Sequence, residues 1–181
     1  MAMTELISKK MTVWFNMVDR DKDGFLTGHD FEMAQESWNS LFDHQSDSPL
    51  YQKISGYWLN MWEGLKQVDA DQDGKVTLDE FLNAMDFARQ DAGYADIVMG
   101  WAQTTIDAFD TDQDGAISLS EWKRIYEING LSEELAERTF VILDGDGDGL
   151  LSPTEYLGRV NEFTFAEEIE TPGNHFYGII E

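Results

Sequence analysis

Four twelve-residue windows repeat one arrangement of acids, and that arrangement leaves a chain of 181 residues few ways to fold. They read DRDKDGFLTGHD (19–30), DADQDGKVTLDE (69–80), DTDQDGAISLSE (110–121) and DGDGDGLLSPTE (144–155). Each has Asp at positions 1, 3 and 5, Gly at 6, an aliphatic at 8, a hydroxyl at 9 and an acid at 12. Repeats of this kind set the architecture before any single element is assigned. The windows hold 17 of the 36 acidic residues, so the net charge of −24 is gathered into loops rather than spread over a solvated surface. Asp and Gly are common turn formers, but plain turns do not call for four loops complete at every one of these positions.

Three carboxylates on alternate residues repel unless a cation lies among them, so the chain must curl until they converge. The sixth residue then takes a sharp turn that suits a residue without a Cβ, and Gly24, Gly74, Gly115 and Gly149 stand there. The seventh offers its backbone carbonyl, which leaves its side chain free to vary as Phe25, Lys75, Ala116 and Leu150. The twelfth closes the site from the next helix, bidentately where it is Glu. Six or seven oxygen ligands suit a hard cation such as Ca²⁺ or Mg²⁺ and suit zinc or copper poorly.

The flanks predict helix–loop–helix units. Apolar residues fall four and one positions before each loop, as Phe15/Val18, Leu65/Val68, Ile106/Phe109 and Phe140/Leu143. An aromatic follows each closing acid: Phe31, Phe81, Trp122 and Tyr156. These are helical spacings with one buried face. The aliphatics Leu26, Val76, Ile117 and Leu151 are expected to pair as short antiparallel strands, first loop with second and third with fourth. The fold expected is all-α and compact, four such units in two packed pairs with β-bridges between paired loops. The pairs span 1–92 and 93–181. Breaks are expected at 43–49, near Asp91-Ala92-Gly93 and at Asn129-Gly130, with Ser132 capping the helix that follows and Ser152-Pro153 starting another.

Four loops of this form resemble the EF-hand pattern. The whole chain resembles the invertebrate sarcoplasmic calcium-binding proteins, compact four-hand buffers. That resemblance rests on the opening KMTVWFNMVDRDKDG, on Asp30 rather than Glu closing the first loop, on the long aromatic linker between the first two hands, and on Phe176-Tyr177-Gly178 in the tail. The chain departs from that family in having no degenerate loop. Carried onto this sequence, the resemblance implies the following Ca²⁺ ligands. The first loop supplies Asp19, Asp21, Asp23, the Phe25 carbonyl and Asp30, and the second Asp69, Asp71, Asp73, the Lys75 carbonyl and Glu80. The third supplies Asp110, Asp112, Asp114, the Ala116 carbonyl and Glu121, and the fourth Asp144, Asp146, Asp148, the Leu150 carbonyl and Glu155. Thr27, Thr77, Ser118 and Ser152 are expected to act through a water. Up to four Ca²⁺ are expected, with Mg²⁺ competing, most of all at the first site because Asp30 is one methylene short.

Composition narrows the function further. With 12 basic residues against 36 acidic, no nucleic-acid footprint and no attraction to anionic membrane are expected. Without Cys there are no disulfides, thiolate zinc sites or cysteine nucleophiles. The first residues lack a basic stretch followed by an apolar run, so no secretory signal is expected, and no apolar run approaches the ~20 residues of a membrane span. A monomeric, cytoplasmic, non-enzymatic buffer is the reading that follows. Trp14, Phe15, Phe31, Trp38, Trp58, Trp62, Phe81, Phe87, Trp101, Phe109, Trp122 and Phe140 are expected to form a continuous core, with the apolar tail folded over it. Such a tail argues against the alternative of a sensor that opens a groove for a partner. Another alternative is a coelenterazine or luciferin binder of the same architecture, for which His29, His44 and His175 are the available histidines.

Overall fold

Every helix that follows an acidic loop starts on that loop's own hydroxyl. Residues 3–42 and 47–180 are described in the computed structural model. Among them lie eight helices: α1 (Glu5–Val18), α2 (Gly28–Asn39), α3 (Pro49–Leu65), α4 (Leu78–Ala88), α5 (Ala92–Phe109), α6 (Leu119–Ile128), α7 (Glu133–Leu143) and α8 (Pro153–Phe165). Thr27, Thr77, Ser118 and Ser152 are the N-caps of α2, α4, α6 and α8, each with the closing acid three residues on reaching back in a capping box. The entering helices are capped by Thr4, Ser48, Asp91 and Ser132, as Ser, Thr and Asp at such positions favour. Of the break expected at 43–49, residues 43–46 lie outside the described residues. Ser48 and Pro49 there form the cap and first turn of α3.

Two strands, β1 (Ile117–Ser118) and β2 (Leu150–Leu151), pair antiparallel with Ile117 opposite Leu151. In the first pair of hands the same contact is a single bridge, Leu26 and Val76 exchanging both N–H···O bonds at 2.9 Å. All four of these aliphatics are fully buried. The expected pairing of first loop with second and third with fourth is therefore the one observed.

Within each pair the outer helices pack together and so do the inner ones: α1 on α4, α2 on α3, α5 on α8 and α6 on α7. Trp14 stacks on Phe81 at 5.2 Å across α1 and α4. The two pairs meet around Trp38 of α2, which lies 4.7 Å from Trp101 and 5.4 Å from Phe109 of α5, with Trp58 of α3 against both tryptophans. The expected core aromatics are buried or half-buried with one exception: Phe87 is 84% exposed, on the outer side of α4. The entering register fails slightly at Val68 too. There α3 stops at Leu65, and Lys66–Val68 close a tighter turn through the Leu65 carbonyl. No helix among the described residues is long and apolar enough to cross a membrane.

The tail returns over α8 through a 3₁₀ turn at Pro172–His175. Phe176 is buried 5.1 Å from Trp122 and 5.3 Å from Tyr156, and its carbonyl accepts the Tyr126 hydroxyl at 2.7 Å. Gly173 permits the approach, since a Cβ there would lie 2.5 Å from the Arg159 carbonyl. The fully buried Lys10 of α1 donates to the Glu162 and Ala166 carbonyls and to Asn174 Oδ1, at 3.0, 2.7 and 3.0 Å. One ammonium thus ties α1, the end of α8 and the tail together.

Burial lowers the Lys10 pKa from 10.5 to about 8; the nearby Arg89 adds to this, and Glu168, Glu162 and Glu167 oppose it. Because the folded value lies below the unfolded one, the stabilisation is complete above pH 10.5 and is lost as pH falls through about 8. The melting temperature of the protein should therefore rise relative to Lys10→Met between pH 8 and 10. Parallel curves for the two proteins would count against a charged, buried Lys10.

Candidate metal centres

The four loops fold on their own backbones in one way. The position-1 Asp accepts the position-6 glycine N–H: Asp19 from Gly24 at 3.0 Å, Asp69 from Gly74 at 2.9 Å, Asp110 from Gly115 at 3.1 Å and Asp144 from Gly149 at 2.9 Å. Asp21, Asp71, Asp112 and Asp146 each accept the N–H two residues on, at 3.1 to 3.3 Å. Asp23, Asp73, Asp114 and Asp148 do the same to Phe25, Lys75, Ala116 and Leu150, all at 2.9 Å. The position-6 glycines have φ between 85° and 89°, in the left-handed region. Position 4 is left-handed as well, at Lys22, Gln72, Gln113 and Gly147. Sequence reasoning missed that second turn, and Gly147 in the fourth loop was the one signal of it.

The twelfth residue clasps the loop at two points. Asp30 takes the N–H of Arg20 on one oxygen and the N–H of Thr27 on the other, both at 2.8 Å. Glu80 bonds Ala70 and Thr77, Glu121 bonds Thr111 and Ser118, and Glu155 bonds Gly145 and Ser152, at 2.7 to 3.0 Å. The position-9 hydroxyls, expected to work through a water, donate straight to this acid at 2.7 to 2.9 Å. The Ser/Thr-x-x-Asp/Glu spacing in every loop was the signal for that role.

Carboxylate oxygens gather within 4.8 Å of one another in each loop. The sets are Asp19, Asp21 and Asp30; Asp69, Asp71 and Asp73; Asp110, Asp112 and Glu121; and Asp144, Asp146 and Glu155. Of the expected ligands, Asp23, Asp114 and Asp148 lie outside these sets, although Asp73 with the same bond to its position-7 N–H lies inside, and Glu80 lies outside the second. Burial is deepest in the first loop, where Asp30 is fully buried and Asp19 nearly so. Asp19 Oδ1 and Asp69 Oδ1 are buried without a hydrogen-bond partner. An unpaired buried carboxylate oxygen is costly unless it faces a cation. These orphan oxygens and the all-oxygen donor set fit a hard divalent ion.

Local charge and hydrogen bonding pull in opposite directions. At Asp71 the Asp73 N–H bond lowers the carboxyl pKa, but the Asp73 charge, slight burial, the bond with Asp69 and the Glu80 charge together raise it. Glu80 is held below the ordinary range by the Thr77 and Ala70 N–H groups. In Glu121 and Glu155 burial opposes ionisation and the same kind of bonds outweigh it, aided at Glu155 by Arg159. The position-7 side chains are also less free than the sequence suggests, because Lys75 Nζ sits 4.4 Å over the Phe25 ring and joins the first two loops. Of the histidines, His29 is largely exposed beside Glu32, and His175 accepts the Ile180 N–H at 3.1 Å. His44 lies outside the described residues.

The EF hand family model matches the chain four times, over residues 12–33, 63–85, 102–126 and 135–157. The chain belongs to the EF-hand family. Within it the chain is similar to the sarcoplasmic calcium-binding protein of Perinereis vancaurica tetradentata, 27% identical over 180 residues that cover 97% of this chain and 98% of that one. The amphioxus sarcoplasmic calcium-binding protein shares the fold at a TM-score of 0.71 and 16% identity, over 99% of this chain and 100% of that one. The luciferin-binding protein of Renilla reniformis is 38% identical over 74 residues, and the match spans 40% of each chain.

No atom lies within 4 Å of where a Cβ would stand on Gly115, whose φ is +89°. Gly115→Ala is thus a purely conformational change, expected to destabilise the metal-free chain by about 1–2 kcal/mol. Urea unfolding measures it, and an unchanged midpoint would show that the turn relaxes without strain.

Proposed function

We infer that this calcium-binding EF-hand protein, which is not an enzyme, works as a cytosolic Ca²⁺ buffer with Mg²⁺ competing for its sites. The ligands in this reading are Asp19, Asp21, Asp23, Asp30 and the Phe25 carbonyl in the first loop and their counterparts in the other three. One observation carries it: the same network of carboxylates and N–H groups recurs in all four loops, with no loop degraded. Repetition of the full network supports four sites of similar strength, and buffer-type hands bind with Kd of about 10⁻⁹–10⁻⁸ M. The position-1 Asp and the closing acid would hold the ion from opposite sides. The bound ion supplies only positive charge, against a chain of net −24. The buried Phe176 and the tail over α8 argue against a sensor's groove.

Calorimetry with calcium at millimolar Mg²⁺ tests the reading. Four bound Ca²⁺ per chain are expected, with little change in anilinonaphthalene-sulfonate fluorescence. A large calcium-dependent fluorescence gain would overturn the buffer in favour of a sensor. Asp30→Glu should lower Mg²⁺ competition at the first site by lengthening its closing acid, and equal competition in both proteins would remove the special status of that site.

A second reading is favoured by a cavity of about 420 Å³ inside the aromatic core, where the sequence suggested solid packing. Its volume suits a drug-sized ligand. Trp38, Trp58, Trp101, Tyr57, Tyr156 and Phe176 are among its lining, and it opens beside Asn60 and Gly64 of α3 and Ile97 of α5. The Trp58 Nε1 donor is buried without a partner among the described residues. A flat, uncharged, largely apolar molecule with a hydrogen-bond acceptor for that N–H is the ligand this supports, and a luciferin-type compound is one such molecule. No histidine lines the space. Incubation with coelenterazine, gel filtration and absorbance decide it: a retained chromophore, weakened by Trp58→Phe, is expected.

A further inference from the structure

The first loop is fastened to the far end of a helix belonging to the third hand. Arg20, at position 2 of that loop, sends its guanidinium to the carbonyl of Ile128, the last residue of α6, at 2.8 Å. Its Nη1 lies 3.2 Å from where a Cβ would stand on Gly130. Beside it, Trp38 of α2 donates its indole N–H to Asn129 Oδ1 at 3.4 Å, and Asn129 in turn bonds the Ile125 carbonyl at 2.8 Å. A half-buried cation on a helix C-terminus is well placed against the negative end of the helix dipole. A guanidinium also holds such a carbonyl with little freedom.

Two further bonds turn this contact into a connection between metal centres. The backbone N–H of the same Arg20 donates to Asp30 Oδ1, the closing acid of the first loop, at 2.8 Å. At the other end, Glu121 is the third residue of α6 and closes the third loop. Glu121 and Ile128 are seven residues apart on one helix, a span of about 10 Å that moves as a rigid rod. Anything that draws Glu121 toward an ion therefore shifts the Ile128 carbonyl. That shift is passed through the guanidinium to the segment whose N–H positions Asp30.

We propose that Arg20 is a positioning residue that couples the first metal site to the third, so that filling either raises the affinity of the other. The proposal rests on the calcium reading above. It joins the two pairs of hands by a route separate from the Leu26–Val76 and Ile117–Leu151 bridges, which act only within a pair. Coupling is reciprocal by necessity, and couplings between protein sites are commonly about 5- to 150-fold.

The test follows the amides of Gly24 and Gly115 by NMR as calcium is added stepwise. Disabling the third site with Glu121→Gln should weaken calcium binding reported by Gly24 by about fivefold or more. In the Arg20→Ala background, which keeps the backbone N–H to Asp30, the same change should leave Gly24 unaffected. Arg20→Lys should restore part of the effect. Equal weakening with and without the guanidinium overturns the coupling. Should Arg20→Ala fail to fold, the Glu121→Gln protein alone suffices: the Asn129 and Gly130 amides must shift in step with Gly24, and their standing still overturns the proposal. Absence of any calcium response at Gly24 in the unmutated chain would instead overturn the calcium reading.

Discussion

Like charges brought together against their repulsion are the constraint on which the rest of this structure depends. Two unit charges about 4 Å apart repel by about 4 kcal/mol at an effective dielectric of 20, and each loop collects at least three carboxylates at that scale. The backbone answers with N–H groups. Positions 2, 5, 6, 7 and 9 of the first loop all point theirs at carboxylate oxygens, and so do those of the second. Such dipoles lower the repulsion without cancelling it. A divalent ion supplies what they lack, which is why metal binding and folding are linked in a loop of this design.

The same acids start the helices. Each closing carboxylate is the third residue of its helix and completes a capping box with the loop's hydroxyl, so the order of α2, α4, α6 and α8 depends on the residue that also seals the site. An ion drawn into the loop acts on the helix through that residue. The hydroxyls of Thr27, Thr77, Ser118 and Ser152 belong to this linkage too, since they give their protons to the acid.

Much of this was legible in the residues because period and charge agree. The Asp-x-Asp-x-Asp-Gly register fixed the turn, the flanking apolar spacing fixed the helices, and Leu26, Val76, Ile117 and Leu151 fixed which loops pair. What escaped the sequence depends on groups distant along the chain. Phe87 fits a helical core register but falls on the outer side of α4, because only tertiary packing decides which turn of a short helix meets its neighbour. The cavity was hidden because aromatic content measures how much surface is available to bury and not how closely the rings approach.

Placement of the few positive charges follows from the same scarcity. None of the eight helices carries a basic residue in its own last turn, so each negative end must be met from elsewhere or by water. Lys22 reaches the Asn16 carbonyl near the end of α1, Arg20 reaches α6, and Arg159 reaches the last carbonyl of α7 at 3.1 Å. The end of α8 takes both Lys10 from α1 and Arg89 from just beyond α4, the latter at 2.8 Å from the Thr164 carbonyl. Arg20, Lys10 and Arg89 all come from the first pair of hands and all serve helices of the second. A chain with 12 basic residues has thus placed three of its cations where they hold the two pairs together. Had those charges stood on the helices they cap, the two pairs would have little beyond apolar contact and the Trp38–Asn129 hydrogen bond to keep them in register.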